Sequence, residues 1–196
     1  TNEVHDAIEG SISSCGNIIK WLRDKMKFFE NSEDSEDFLR KDGNSNNVLF
    51  LPAFNGLGAP YWNSEIRGGF YGITQDTSIE DMTTAAFQSV AFQTKDITNI
   101  ISLYDIKIQK LLVDGGMVSN KTFCQVLADT LQIEIVKPKN VESTAIGACK
   151  IAMLSSGMSI ENLSKNEISY KLNKDRRDIY FRNYSKWQEY LLNTIK

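Results

Sequence analysis

Histidine is nearly absent from this chain: among 196 residues there is one, His5. Ser-His-Asp triads, Cys-His dyads and histidine-rich zinc sites all need an imidazole inside the fold, which removes most of the usual catalytic repertoire. Cysteine is scarce as well. Cys15, Cys124 and Cys149 are odd in number and far apart, which argues against a disulfide framework and lacks the close pairing of zinc or redox motifs. We read them as reduced, buried thiols of a cytoplasmic protein. Only 3 prolines, with 12 glycines, 41% hydrophobic and 24% charged residues, exclude a disordered tail or a fibrous repeat. No run approaches the roughly 18 apolar residues of a membrane span, and no charged start followed by an apolar stretch marks a signal peptide. Nor is there an excess of positive charge. The formal charge is -3 and the pI near 5.3, so no net field draws the chain to nucleic acid or to an anionic membrane. Small or neutral partners come first, and self-association into a homo-oligomer stays open.

What is present suits one domain over residues 1–196. The chain opens at Thr1 rather than methionine, with apolar and polar residues already alternating by Val4, which predicts a piece of a larger protein. The alternation predicts a strand over Val4–Ser13. Ile18, Ile19, Leu22, Met26 and Phe29 then follow helical spacing and predict a helix over Gly16–Phe29. Glu30 to Asn47 is acidic and polar and reads as a short exposed helix between surface loops, a solvated face. Val48–Leu51 and Gly68–Thr74 read as strands joined by a long loop, Ala53–Arg67, that holds Gly56, Gly58, Pro60, Tyr61 and Trp62. This loop suits a flap or a packing plug.

Ser78 and Asp81 form a capping box, and Ile79, Met82, Ala86, Val90, Ile97 and Ile101 line one face of a long helix beyond it. Leu111–Val113 reads as a strand, Ser119 as the start of a helix carrying Phe123, Val126, Leu127 and Leu131, and Ile133–Val136 as the next strand. A helix over Ser143–Ser155 ends at Gly157. The last forty residues are polar until Tyr180, Tyr184, Trp187 and Leu191 mark a terminal amphipathic helix whose aromatic stripe is core packing. Strands alternating with helices predict an α/β domain with a mainly parallel sheet under helices.

The most informative stretch is LLVDGGMVSN, Leu111 to Asn120. An apolar strand stops at Gly115 and Gly116 and a helix begins within a few residues, so a ligand can approach the backbone closely where N–H groups and the helix dipole favour a phosphate. Asn120 adds an amide that both donates and accepts, as an adenine edge requires. The same residues also suit a plain tight turn with Ser119 as the cap. Gly16 precedes the first helix in a similar arrangement, and two such helix starts suit one ligand. Lys20, one turn on, is either a phosphate or ribose contact or an ordinary exposed lysine. Asp114 is equally suited to reaching a Mg²⁺ shell through water and to holding the turn. ESTAIGA, Glu142 to Ala148, has the small side chains of a closely packed helix. No carboxylate constellation for phosphoryl transfer is evident.

In these segments the chain resembles the C-terminal domain of the FGGY family of carbohydrate kinases. The likeness runs through AIEGSI, GNIIKWLRD (Gly16–Asp24), LPAFNGLGAPYWN (Leu51–Asn63), RGGFYGIT (Arg67–Thr74), AFQSVAFQTKDI (Ala86–Ile97), LLVDGGMVSN and ESTAIGA, in family order. The tail after Gly157 carries little of it. The resemblance implies a ribonuclease-H-like, actin-like ATPase fold with a mixed sheet flanked by helices, in a two-domain kinase that closes on its substrate. It implies ATP and Mg²⁺ as cofactors. Gly116 and Asn120 would contact the nucleotide, Gly115 would shape the same loop, and Gly16 would lie near the phosphates. The family often has glutamine where this chain has Lys20. The segments around Gly58 and Gln93 point to the branch that phosphorylates glycerol over the xylulose and gluconate branches. Catalytic base and glycerol-binding residues would precede Thr1, so none is assigned here.

Overall fold

Helix α2 (Ile79–Ser102) organises the chain around it. The computed structural model describes residue 12 and residues 15–139, 143–158 and 167–195. The strand expected over Val4–Ser13, apart from Ile12, and the lone His5 lie outside the described residues. In chain order the other elements are α1 (Cys15–Asp24), β1 (Leu49–Leu51), β2 (Gly69–Tyr71), β3 (Lys110–Leu112), α3 (Lys121–Leu131), β4 (Glu134–Pro138), α4 (Ser143–Ser155), β5 (Glu167–Tyr170) and α5 (Arg177–Ile195).

The capping box of α2 is as the sequence predicts. Ser78 Oγ accepts from the Asp81 amide, and Asp81 Oδ2 accepts from the Ser78 amide. The single apolar face does not hold. From Thr83 to Gln93 every residue of α2 is buried, while Ile79 is exposed, because β1 and α5 cover one side of the helix and α3 another. Small residues (Thr83, Thr84, Ala85, Ala86, Ser89, Ala91) make that enclosure possible; the Thr84 and Ser89 hydroxyls find partners, while the buried Thr83 hydroxyl has none among the described residues. Thr84 Oγ1 accepts from the Arg40 amide at 3.0 Å, and Gln88 Nε2 donates to the Gly43 carbonyl at 2.7 Å.

Two sheets flank this helix. β1 and β2 pair antiparallel with Phe50 opposite Phe70. In the other sheet β4 is central, parallel to β3 and antiparallel to β5. The sheet is mixed rather than mainly parallel, because the chain returns to β4 from its far side. β5 itself is absent from the sequence reading: Glu167, Ile168 and Ser169 are all exposed, so this edge strand pairs through its backbone without an apolar face to betray it.

Helix α1 stops at Asp24, five residues before Phe29. The Lys25 and Met26 amides both turn back to the Trp21 carbonyl, and Lys27 takes a left-handed φ of 58°. Phe29 is still buried, delivered by the turn instead of the helix. The acidic stretch that follows holds only a 3₁₀ turn, Glu33–Glu36, and it is not a solvated face throughout: Ser35, Leu39 and Ser45 are buried. At the far end of the chain α5 packs as expected. Trp187 Nε1 donates to the Phe50 carbonyl at 2.8 Å, fixing the aromatic stripe on β1.

Candidate functional site

β3 runs parallel to β4, and the Val113 amide donates to the Val136 carbonyl at 2.9 Å, so the sheet carries the chain straight to Asp114. There the backbone breaks. Gly115 has φ 99° and ψ 173°, a conformation that glycine alone adopts without strain. A 3₁₀ turn, Gly116–Ser119, leads into α3. Apart from their own chain neighbours, no described atom lies within 4 Å of where a side chain on Gly115 or Gly116 would begin, so the turn faces open space. Among the described residues the amides of Gly115, Gly116 and Met117 have no acceptor. The Val118 and Asn120 amides bond back to Gly115 and Met117.

The cap of α3 is Asn120 and not Ser119. Asn120 Oδ1 accepts from the Phe123 amide at 2.8 Å, and its Nδ2 reaches Ser35 Oγ at 3.5 Å. The two residues are both good caps, and the 3₁₀ turn shifts the helix start by the extra residue. Half of the Asn120 amide is therefore already engaged.

Glu36, which the sequence assigns to a solvated run, lies at the same helix start. Its Oε1 accepts from the Thr122 amide and from Thr122 Oγ1, both at 3.3 Å. With Asn120 and Glu36 in place, the Thr122 and Phe123 amides at the start of α3 are satisfied and a carboxylate stands beside them. At this end of α3 the amides without an acceptor among the described residues are those of the glycine turn and of Lys121.

α1 supplies the opposite wall. Its first turn packs against Gly116–Ser119, and Cys15 lines a cavity of about 200 Å³ together with Asp114, Met117 and Val118. That cavity is largely apolar and too small for a nucleotide. Gly16, exposed and with open space around it, begins the rim above; Lys20 follows on the exposed side of α1. The structure thus brings the helix that Gly16 begins against the turn that Gly115 and Gly116 open. Lys20 is the outlier: it makes no hydrogen bond among the described residues. Asp114 is exposed and its carboxylate holds no turn bond. Magnesium favours oxygen ligands and keeps several waters, so one free carboxylate fits an ion carried on phosphates and does not form a cage. A larger groove, about 770 Å³, lies at the other end of α1 between Arg23, Lys27, Asp34 and Phe38, and includes none of the candidate residues.

Beneath the turn lies a group the sequence reading missed. Lys137 on β4 is buried, and its Nζ donates to the Val118 carbonyl at 2.6 Å and to the Ser119 carbonyl at 3.4 Å. The signal was there in strand periodicity: Lys137 is two residues past the buried Ile135 and shares its face. Cys124 Sγ donates to the same Val118 carbonyl at 3.2 Å. Burial pushes this thiol up to about 11, against the pull of Lys137 and with a smaller push from Glu36.

Two further expectations change, and a third is narrowed to one of its alternatives. Only Cys124 is a buried thiol; Cys15 is half-buried and Cys149 exposed. α4 is not closely packed. Ala145 and Ala148 are exposed, as are Ile151 and Leu154, because none of the described elements covers this helix. The loop from Ala53 to Arg67 is a plug: Leu57 and Ile66 are buried in a second core with Phe92 and Trp187, and Trp62 is its one large apolar side chain exposed to solvent.

Residues 1–156 match the C-terminal domain of the FGGY family of carbohydrate kinases. Glycerol kinase of Streptococcus pneumoniae (strain Hungary19A-6) is 46% identical over 156 residues, which are 79% of this chain and 31% of that relative. The chain therefore spans less than a third of the length of this curated relative. Among solved structures, glycerol kinase of Plasmodium falciparum with ADP superposes with a TM-score of 0.81 at 29% identity, over 95% of this chain and 38% of that one. Ligand-bound xylulose kinase of Lactobacillus acidophilus gives 0.77 at 22% identity, over 92% and 38%, a likeness of fold. Among the described residues no helix is long and apolar enough to cross a membrane.

Proposed function

The chain belongs to the FGGY family of carbohydrate kinases and has their actin-like ATPase fold, and from that footing we propose that it is the nucleotide-binding part of a glycerol kinase. The complete enzyme passes the γ-phosphate of ATP to glycerol and yields glycerol 3-phosphate in the cytoplasm. Residues 1–196 are its C-terminal domain. The observation that carries the nucleotide reading is the open Gly115–Gly116 turn at the end of β3, with unpartnered amides, faced by the first turn of α1. The choice of glycerol as acceptor is supported by the 46% identity to a glycerol kinase.

In this reading Gly115 and Gly116 let the nucleotide reach the main chain, and their amides hold phosphate oxygens. The free N–H of the Asn120 amide donates to the adenine, its oxygen being held by α3. Gly16 gives clearance on the opposite wall, and Lys20 adds a positive charge at the rim. Asp114 receives Mg²⁺ through water. The ion neutralises phosphate charge when bound.

The general base and the glycerol pocket belong to the rest of the protein, so this chain alone binds ATP or ADP weakly and phosphorylates nothing. A coupled assay checks it. The pure chain with ATP, Mg²⁺ and glycerol releases no glycerol-dependent ADP, while the full-length enzyme does; turnover by the chain alone, or a full-length enzyme that takes xylulose and not glycerol, overturns the reading.

A further inference from the structure

A lysine ammonium is seldom buried, since leaving water is costly unless its donors are used. Lys137 is 6% exposed, and its partners are main-chain carbonyls, not a carboxylate. Both carbonyls belong to the turn that carries the glycines. Of the bonds that hold this turn, Val118 N to Gly115 O and Asn120 N to Met117 O are long at 3.2 and 3.3 Å. Two glycines at its start add conformational freedom. Across a trans peptide the C=O and the next N–H point in opposite directions, so a carbonyl drawn toward Lys137 sends the Ser119 N–H away from it.

Resting on the nucleotide reading above, we propose that Lys137 is a positioning residue: its buried ammonium pins the Val118 and Ser119 carbonyls from below and so presets the Gly115–Asn120 turn for a nucleoside diphosphate. The residue touches no ligand itself. Its charge, uncancelled by its carbonyl partners, also adds positive potential under the place where phosphates settle. Lys137 and Glu36 act on Cys124 with opposite signs.

The test uses MgADP titrated calorimetrically into the 196-residue chain, with Lys137→Met, Lys137→Gln and Lys137→Arg. Lys137→Met keeps the stem and removes donors and charge; folded Lys137→Met is expected to bind about tenfold or more weakly. Lys137→Arg restores both and binds within about threefold of the parent. Ile135→Val, on the same face of β4, lowers the melting temperature without changing affinity, which separates positioning from general destabilisation. Should Lys137→Met fail to fold, Lys137→Gln gives the intermediate loss. A folded Met or Gln variant with parental affinity, or an Arg variant as weak as the Met variant, overturns the proposal. Hydrogen exchange gives a ligand-free readout. Faster exchange confined to residues 118–124 in the Met or Gln variant supports pinning, and unchanged exchange there sinks it. If the parent chain binds no MgADP, the nucleotide reading fails while exchange still decides what Lys137 does to the turn.

Discussion

The Tyr61 hydroxyl donates to Asp96 Oδ2 at 2.8 Å, tying the plug loop to the C-terminal third of α2. Asp96 also accepts from Tyr184 Oη at 2.6 Å and Gln188 Nε2 at 3.0 Å, so loop, α2 and α5 share one carboxylate. Burial raises its pKa, and the three donors with Lys95 only partly offset that. A raised folded value means the folded state binds the proton more readily. The stabilisation linked to this group is full below the ordinary value of 3.8 and is lost as pH rises through the folded value. Asp96→Asn should therefore flatten this part of the stability curve in denaturant melts across that window. Asp96→Ala should cost about 2–4 kcal/mol at neutral pH, since it strands two tyrosine hydroxyls, and Tyr61→Phe about 1 kcal/mol.

Gly115 and Gly116 separate shape from function. At Gly115 an alanine inherits φ 99°, and Gly115→Ala should lose about 1–3 kcal/mol of stability whatever the ligand. Gly116 has ordinary φ and open surroundings, so Gly116→Ala should melt within about 0.5 kcal/mol of the parent. In the proposed reading its methyl group would occupy the space of the phosphates, and ADP affinity should fall about tenfold or more by calorimetry. Parental affinity in Gly116→Ala would remove the nucleotide from this turn.

Asn120 caps α3 and, in the proposed reading, also contacts the adenine, two roles that substitution can split. Asn120→Ala loses the cap and the amide, costing about 1 kcal/mol of stability and weakening ATP binding in the full-length enzyme by about 1–3 kcal/mol, with glycerol affinity unchanged. Asn120→Ser keeps a capping oxygen and should hold most of the stability while still binding nucleotide poorly. Nucleotide KM measured beside the melting temperature distinguishes them. A serine variant with normal KM would show that the residue only caps α3.

Local chemistry was legible and long-range pairing was not. The Ser78–Asp81 box, the α5 stripe and the glycine break after β3 are each written within a few residues, so their patterns predict them. The Asn120 cap was displaced by one residue because a 3₁₀ turn intervenes that no periodicity marks. Glu36 meets Thr122 across 86 positions, and a run of acids gives no hint which one turns inward. Lys137 was readable in principle, since strand alternation places it with Ile135. α4 is the opposite case: small and apolar residues predicted burial, yet burial needs a covering surface, and the described residues provide none.

Asp81 ties the start of α2 to the loop before β1. Its carboxylate accepts from the Ser78 amide at 3.0 Å and Asn46 Nδ2 at 2.9 Å, and Arg40 Nε lies 2.8 Å away. Burial pushes its pKa up, but the Ser78 amide, Asn46, the Ser78 hydroxyl and Arg40 together outweigh it and hold the value below the ordinary 3.8. A lowered folded value gives the reverse sign from Asp96: this stabilisation is present above 3.8 and disappears as pH falls through the folded value. The parent chain should lose stability steeply on acidification below about pH 4, and Asp81→Asn should show less of that loss while being weaker at pH 7. Ser78→Ala, which removes only the hydroxyl side of the box, should cost about 1 kcal/mol at pH 7. Acid melts of the two variants that run parallel to the parent would place the acid sensitivity in another carboxylate.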